Sequence, residues 1–165
     1  MSNFVADVPL SERKDKKGNK NIEVIDIAFY NEKGERVNEV FTGHFLRIEF
    51  AIKKKPDIDL SKMIVACNLC DQSGNAAVSW ISDEMPHNFS TIANTFSLEI
   101  PSLSLRPNVY SLRYLICHNT TNQSDFCDLL ENAVQITVLN DSFFGGSYLL
   151  RENRGYSPVL SAVFK

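Results

Sequence analysis

Ser102-Leu-Ser-Leu-Arg-Pro-Asn-Val-Tyr110-Ser-Leu-Arg-Tyr-Leu-Ile-Cys-His118 is the stretch around which the rest of the chain can be laid out. Leu103 and Leu105 are apolar, and Arg106-Pro107-Asn108 reads as a turn. Proline presets φ for a turn's second position, and asparagine tolerates positive φ at the third. Beyond the turn, Tyr110, Leu112, Tyr114, Ile116 and His118 alternate with Val109, Ser111, Arg113, Leu115 and Cys117. A period of two predicts a strand. The face carrying Tyr110, Leu112, Tyr114 and Ile116 is large and apolar, so it turns to a core. The face carrying Ser111 and Arg113 meets water or a ligand.

A leucine, a tight turn and a tyrosine opening a core strand form the pattern of the penultimate strand of immunoglobulin-like sandwiches. There the tyrosine hydroxyl reaches back to the preceding loop. Strands follow on both sides of this one. Ile22–Tyr30 alternates, with Ile25, Ile27 and Phe29 on one face, and Asn31-Glu-Lys-Gly34 turns the chain. Val37–Phe41 is a short strand. Phe45–Lys53 places Leu46, Ile48, Phe50 and Ile52 inside, and Arg47 and Glu49 outside. Met63–Cys70 turns Val65, Cys67 and Leu69 inward and Asn68 outward. Asp71-Gln-Ser-Gly74-Asn is a hairpin turn, and Ala76–Ile81 returns with Trp80, the only tryptophan. Ser82–Ala93 is a long polar loop holding Pro86, His87 and Phe89, and loops of that length in a compact domain are often functional. Thr95–Ile100 points Phe96, Leu98 and Ile100 inward. After a second polar loop, Asn119–Asp128, the segment Asn132–Leu139 faces Val134, Ile136 and Val138 in and Gln135 and Thr137 out. No stretch shows good helical periodicity. The reading is all-β, an immunoglobulin-like antiparallel β-sandwich of about eight or nine short strands.

The 165 residues fit one domain, and 44% hydrophobic with 22% charged residues describes an ordinary folded protein. A net charge of −3 argues against a polyanion-binding surface, so no nucleic-acid partner is expected. There is no apolar run of about 18 residues to span a membrane. The N-terminus lacks the basic head and apolar block of a secretory signal, so a cytoplasmic location is expected. Residues 1–21 differ from the rest: Arg13, Lys14, Lys16, Lys17 and Lys20 crowd around Gly18 and Asn19. They read as a solvated linker or tail. A nucleic-acid arm is the sharper alternative, diluted by Glu12 and Asp15.

Cys67 and Cys70 form a C-x-x-C, which Cys117, Cys127 or His118 could complete as a zinc site. Zinc pairs need a tight turn, whereas residues three apart on a strand face opposite sides, so free thiols are the favoured reading. No metal or other cofactor is expected. Asn88, Asn119, Asn122 and Asn140 open glycosylation-like triplets, read as chance matches in polar loops.

Catalytic signatures are missing: there is no phosphate loop, dinucleotide fingerprint, zinc-protease helix or nucleophile elbow. His44, His87 and His118 fall at turns or loops, and a Cys117–His118 pair would point apart on its strand. A non-catalytic binding module is expected. If Met63–Cys70 and Asn132–Leu139 flank the central strand, then Asn68, Ser111, Arg113 and Gln135 share one neutral-polar face, with Cys70 and Thr137 beside them. Sugars present hydroxyls to such donors and acceptors, and C–H faces to aromatic rings. Trp80, on the adjoining strand, is either a stacking platform at the edge of that face or an ordinary core ring.

The order of pieces carries a resemblance. A lysine-rich linker leads to Ile22-Glu-Val-Ile-Asp-Ile-Ala-Phe-Tyr-Asn-Glu-Lys-Gly34, then Phe41-Thr-Gly-His-Phe-Leu-Arg-Ile-Glu-Phe50, then Met63-Ile-Val-Ala-Cys-Asn-Leu-Cys-Asp-Gln-Ser-Gly74. The Leu103–Leu112 stretch and Asp128-Leu-Leu-Glu-Asn-Ala-Val-Gln-Ile-Thr-Val138 complete it. From about residue 22 to 165 the chain resembles the C-terminal carbohydrate-binding domain of Wzt-type ATP-binding proteins of O-antigen ABC transporters. It departs at His44, where the family often has an acid, and at Pro107-Asn108, where it often has Pro-Gly. The resemblance implies a β-sandwich that recognises the non-reducing terminus of a lipid-linked O-antigen polysaccharide and commits it to export. It also implies a cytoplasmic place, peripheral to the inner membrane through the transporter's membrane subunit and the full-length protein. Residues 1–21 would be the interdomain linker. It implies a homodimer too, with a C-terminal strand exchanged between subunits. Residues 147–165, after Gly145-Gly146, would be the exchanged tail, with Val159–Phe164 as the added strand. The alternatives are a cytosolic protein–protein interaction module of immunoglobulin type and a zinc-stabilised β domain.

Overall fold

The computed structural model describes residues 8–151, 157–159 and 162–165. Among them, nine strands make two sheets packed face to face: β1 (Ile22–Tyr30), β2 (Arg36–Val37), β3 (Glu39–Phe41), β4 (Leu46–Lys54), β5 (Met63–Cys70), β6 (Ala76–Ile81), β7 (Thr95–Ile100), β8 (Asn108–His118) and β9 (Phe126–Leu139). One sheet runs β2-β1-β4-β7, the other β3-β9-β8-β5-β6. The chain is an all-β sandwich, as its alternation predicts. One pair departs from the antiparallel expectation: β3 lies parallel to β9, Val40 beside Val138.

The central strand behaves as read. Tyr110, Leu112, Tyr114 and Ile116 are fully buried, and β5 and β9 flank β8. The Tyr110 hydroxyl donates to the Arg106 carbonyl at 2.6 Å, tying the strand to the turn before it. Asn108 is not at positive φ. It opens β8 opposite Val138, and its Oδ1 accepts the Val109 N–H at 2.8 Å. Leu46, Ile48, Phe50 and Ile52 of β4, and Val65, Cys67 and Leu69 of β5, complete the core with Phe96 and Leu98 packed against it.

Local pattern reading misses four things. Ile25 is exposed, not buried, because the β1–β4 register slips between Val24 and Asp26. That bulge lets Val24 and Ile27 both face inward and leaves Ile25 out. The segment read as one strand at Val37–Phe41 is two: β2 pairs with β1, the chain crosses at Asn38, and β3 joins the other sheet. β9 starts at Phe126, so Cys127 and Asp128 are buried strand residues and not part of a polar loop.

Fourth, Leu10–Lys20 is not a free tail: most of its residues are exposed, but its backbone lies against the sandwich. Leu10 enters the core. Lys17 exchanges backbone hydrogen bonds with Leu129 (3.0 and 2.7 Å), and the amides of Asn19 and Lys20 donate to Phe126 and Cys127. The segment thus pairs with the half of β9's edge that β3 leaves open. Gly18 sits at φ +130, and a Cβ there would stand 2.4 Å from the Cys127 carbonyl oxygen, so only glycine passes. Lys16 is buried. Its Nζ donates to the Val24 carbonyl (2.7 Å) and meets Asp128 Oδ2 at 3.0 Å. The same carboxylate oxygen accepts the Val24 N–H and the Tyr114 hydroxyl. Burial pushes the Asp128 carboxyl up, against the pull of the Val24 N–H and Lys16.

The C-terminal tail returns to the sandwich: Leu150 exchanges hydrogen bonds with the Asn140 side chain, and the Arg151 carbonyl accepts from Arg106 Nη1. Pro158 bridges Leu105, Arg106 N–H donates to Ser157 O, Val159 N–H donates to Ser104 O, and Val159 is buried. Most of the spacer Arg151–Gly155, along with Leu160 of the expected added strand, lies outside the described residues. Val163 and Phe164 are exposed.

Candidate functional site

The pleat of β5, β8 and β9 brings four of the five expected binding residues onto the outer face of the five-stranded sheet. Asn68 stands opposite Arg113, and Ser111 opposite Gln135. All four are half-buried. Arg113 Nε donates to Asn68 Oδ1 at 3.1 Å, and Asn68 Nδ2 donates to Ser79 Oγ on β6. Between Leu112↔Val134 and Tyr114↔Leu130 the strands lose step, so Arg113 faces the three residues Glu131–Ala133. That bulge sets Glu131 Oε2 3.6 Å from Arg113 Nη1. The row Ser79–Asn68–Arg113–Glu131 therefore crosses four strands. It offers a hydroxyl, an amide, a guanidinium and a carboxylate in sequence, a set that can both donate to and accept from vicinal hydroxyls. The Arg113 side chain keeps 32% of its surface exposed, so an incoming group can reach it. Its charge is felt locally: burial pushes the Cys70 thiol up, and Arg113 works against that push.

Trp80 is not on this face. It pairs with Cys67, whose side chain is core-facing, so the indole turns to the side opposite Asn68 and Ser79. Residues directly opposite in a ladder share a face, and that rule overturns Trp80 as the edge of the Arg113 row. Trp80 instead lines a cleft of about 380 Å³ under the 82–94 loop, with Phe50, Phe89 and Phe96.

Sequence reading missed Ser79 and Glu131. Ser79 was accessible by counting back across the hairpin from Asn68. Glu131 was not, since only the bulge brings it to Arg113. The thiols Cys67 and Cys70 face opposite sides of β5, and burial pushes Cys67 up to about 12. Among the described residues, no group of three or more His, Cys, Asp or Glu is placed to hold a metal ion. The histidines lie apart, each in its own contact: His44 with Asp141, His87 with the Met85 carbonyl, His118 with the Asp59 carbonyl. Among the described residues, no helix is long and apolar enough to cross a membrane.

The profile of a family described as the Wzt C-terminal domain matches residues 13–150. Among solved structures, one described as the crystal structure of the C-terminal domain of wzt superposes with a TM-score of 0.65 at 13% identity, covering 89% of this chain and 90% of that one. The soluble domain of PmoD from Methylocystis sp. ATCC 49242 (Rockwell) is more distant: TM-score 0.41, 12% identity, 74% of this chain and 94% of that one. No curated protein matches the chain.

Proposed function

The chain belongs to the Wzt C-terminal domain family, and from that premise we propose that its outer sheet face binds a carbohydrate without transforming it. The ligand is the non-reducing terminus of a lipid-linked O-antigen polysaccharide, which binding commits to an ABC transporter for export. The observation that carries the assignment to this face is the Ser79–Asn68–Arg113–Glu131 row, with Ser111 and Gln135 beside it. It is a partly exposed set of donors and acceptors laid across four adjacent strands of one sheet. Arg113 would also suit an anionic group on the glycan.

In this reading the chain works in the cytoplasm, peripheral to the inner membrane, and reaches the transporter's membrane subunit through a larger protein. Residues 22–165 form the binding unit, and the docked segment before them is its connection to whatever precedes. A second copy is part of the proposal. The bonds that Ser157 and Val159 make to Ser104–Arg106 would pass to the equivalent edge of a second chain, with residues 147–165 as the exchanged tail.

Titration calorimetry with purified O-polysaccharide of the producing strain tests the reading. Binding is expected, and Arg113→Ala should weaken it about tenfold, or ~1.4 kcal/mol. The same change should alter unfolding free energy by no more than about 0.5 kcal/mol, as for an outward side chain. Absence of binding by the unaltered chain, or nucleotide or glycan turnover by it, would sink the proposal.

A further inference from the structure

β6 and β7 end their respective sheets without pairing to each other. The sandwich is therefore open along that side, and the 82–94 loop folds over the gap, leaving a cleft of about 380 Å³. That volume lies within the range of small-molecule sites, roughly 300–1,000 Å³. Its wall is aromatic. The rings of Phe50 and Phe96 stack with centroids 4.8 Å apart, and Phe89 meets Phe96 edge-on at 5.4 Å. Trp80 completes the wall from β6. The His87 ring lies 5.1 Å from that of Phe89 at the mouth. His87, Asn88, Thr95 and Ser97 are all exposed and give the mouth a polar rim.

Charge decides what fits. None of the 15 lining residues is Asp, Glu, Lys or Arg, although such residues make up 22% of the chain. The Arg113 face carries both signs; the cleft carries neither. An uncharged ring with an apolar face and hydrogen-bonding edges matches a wall of aromatic rings below a rim of hydroxyl, amide and imidazole groups. Position connects the two places. β6 is one strand wide: Ser79 joins the outer row through Asn68, and its neighbour Trp80 looks into the cleft. A polymer laid across the β6 edge touches both.

We propose that this cleft is a second carbohydrate subsite. It takes one uncharged pyranose residue, its C–H face on Trp80 and Phe89 and its hydroxyls at His87 and Asn88. The inference rests on the carbohydrate reading above and adds to it a place and a charge class.

Trp80 is the only tryptophan, so emission excited selectively from tryptophan reports on this cleft. The probe is the producing strain's purified O-polysaccharide, titrated into the full chain. A saturable change in Trp80 emission is expected, and it should persist at about 0.5 M NaCl, where ion pairs between exposed groups are screened. Phe89→Ala should weaken binding about tenfold, with Phe89→Leu recovering part of the loss, while thermal unfolding confirms that both variants fold. Unchanged emission, with affinity that falls in Arg113→Ala but not in Phe89→Ala, would overturn the subsite and leave the carbohydrate reading intact. An emission change that high salt abolishes would overturn the uncharged ligand. No binding by the unaltered chain would overturn the subsite together with the reading beneath it.

Discussion

Lys16 and Asp128 lie 112 positions apart in the chain and 3.0 Å apart in the fold. Neither is marked by its neighbours: Lys16 sits in a run of lysines, and Asp128 closes a polar stretch. A buried ion is costly unless paired, and removing one partner strands the other. Lys16→Ala should therefore destabilise the chain by about 3–5 kcal/mol in urea unfolding, the range found when a buried pair is broken. Asp15→Ala, which breaks the Arg13 ion pair from its 58% exposed side, should cost no more than about 1 kcal/mol. Equal effects would mean that Lys16 is not held as described. The four cysteines make a second residue-scale case. All are buried, and burial raises each thiol. At pH 8 the native chain should resist a thiol reagent that labels all four in denaturant, because the thiolate is the reactive form. At this scale the sequence is legible wherever period two runs undisturbed, as in Tyr110–Ile116. It is silent where a side chain's partner is far along the chain, as with Lys16 and with Glu131 beside Arg113.

Among the elements, the strands that hold the Arg113 face were readable because β5 and β8 alternate without interruption over Met63–Leu69 and Tyr110–Ile116. Bulges end that legibility. The slip after Val24 exposes Ile25, and the one around Arg113 rearranges the face itself. Trp80 shows the limit for a binding residue. β6 has no clear alternation of burial, so its phase comes from its register with β5 and not from its own sequence. The Leu10–Lys20 segment was misread for a different reason. Its stabilisation is backbone pairing to β9, one close glycine contact and one buried lysine, and local composition records none of these. Gly18→Ala would press a methyl group into the Cys127 carbonyl. Hydrogen exchange should then show Lys17, Asn19 and Lys20 amides losing protection while the β8 amides keep theirs. Protection unchanged along Lys17–Lys20 would contradict the docking.

For the whole molecule, the most exposed large apolar side chains among the described residues lie toward the C-terminal end of the chain. Tyr148, Leu149, Val163 and Phe164 are between 64% and 106% exposed, although Val159 nearby is buried. Burying one such side chain is worth roughly 1.5–3 kcal/mol, so a partner that covers several gains substantially. Light scattering should find a dimer for the intact chain and a monomer after deletion of residues 147–165. An intact chain that stays monomeric at micromolar concentration would end the exchange idea and leave the Ser157–Val159 contacts within one chain. The docked N-terminal segment has a mechanical consequence. Tension applied ahead of Leu10 is shared between two strands. It loads the Lys16 anchor, which holds Val24 of β1 and Asp128 of β9, and the Lys17–Lys20 ladder on β9. β9 also carries Gln135 and Glu131, so the segment is a tether whose strain is delivered to the strand bearing one side of the glycan face.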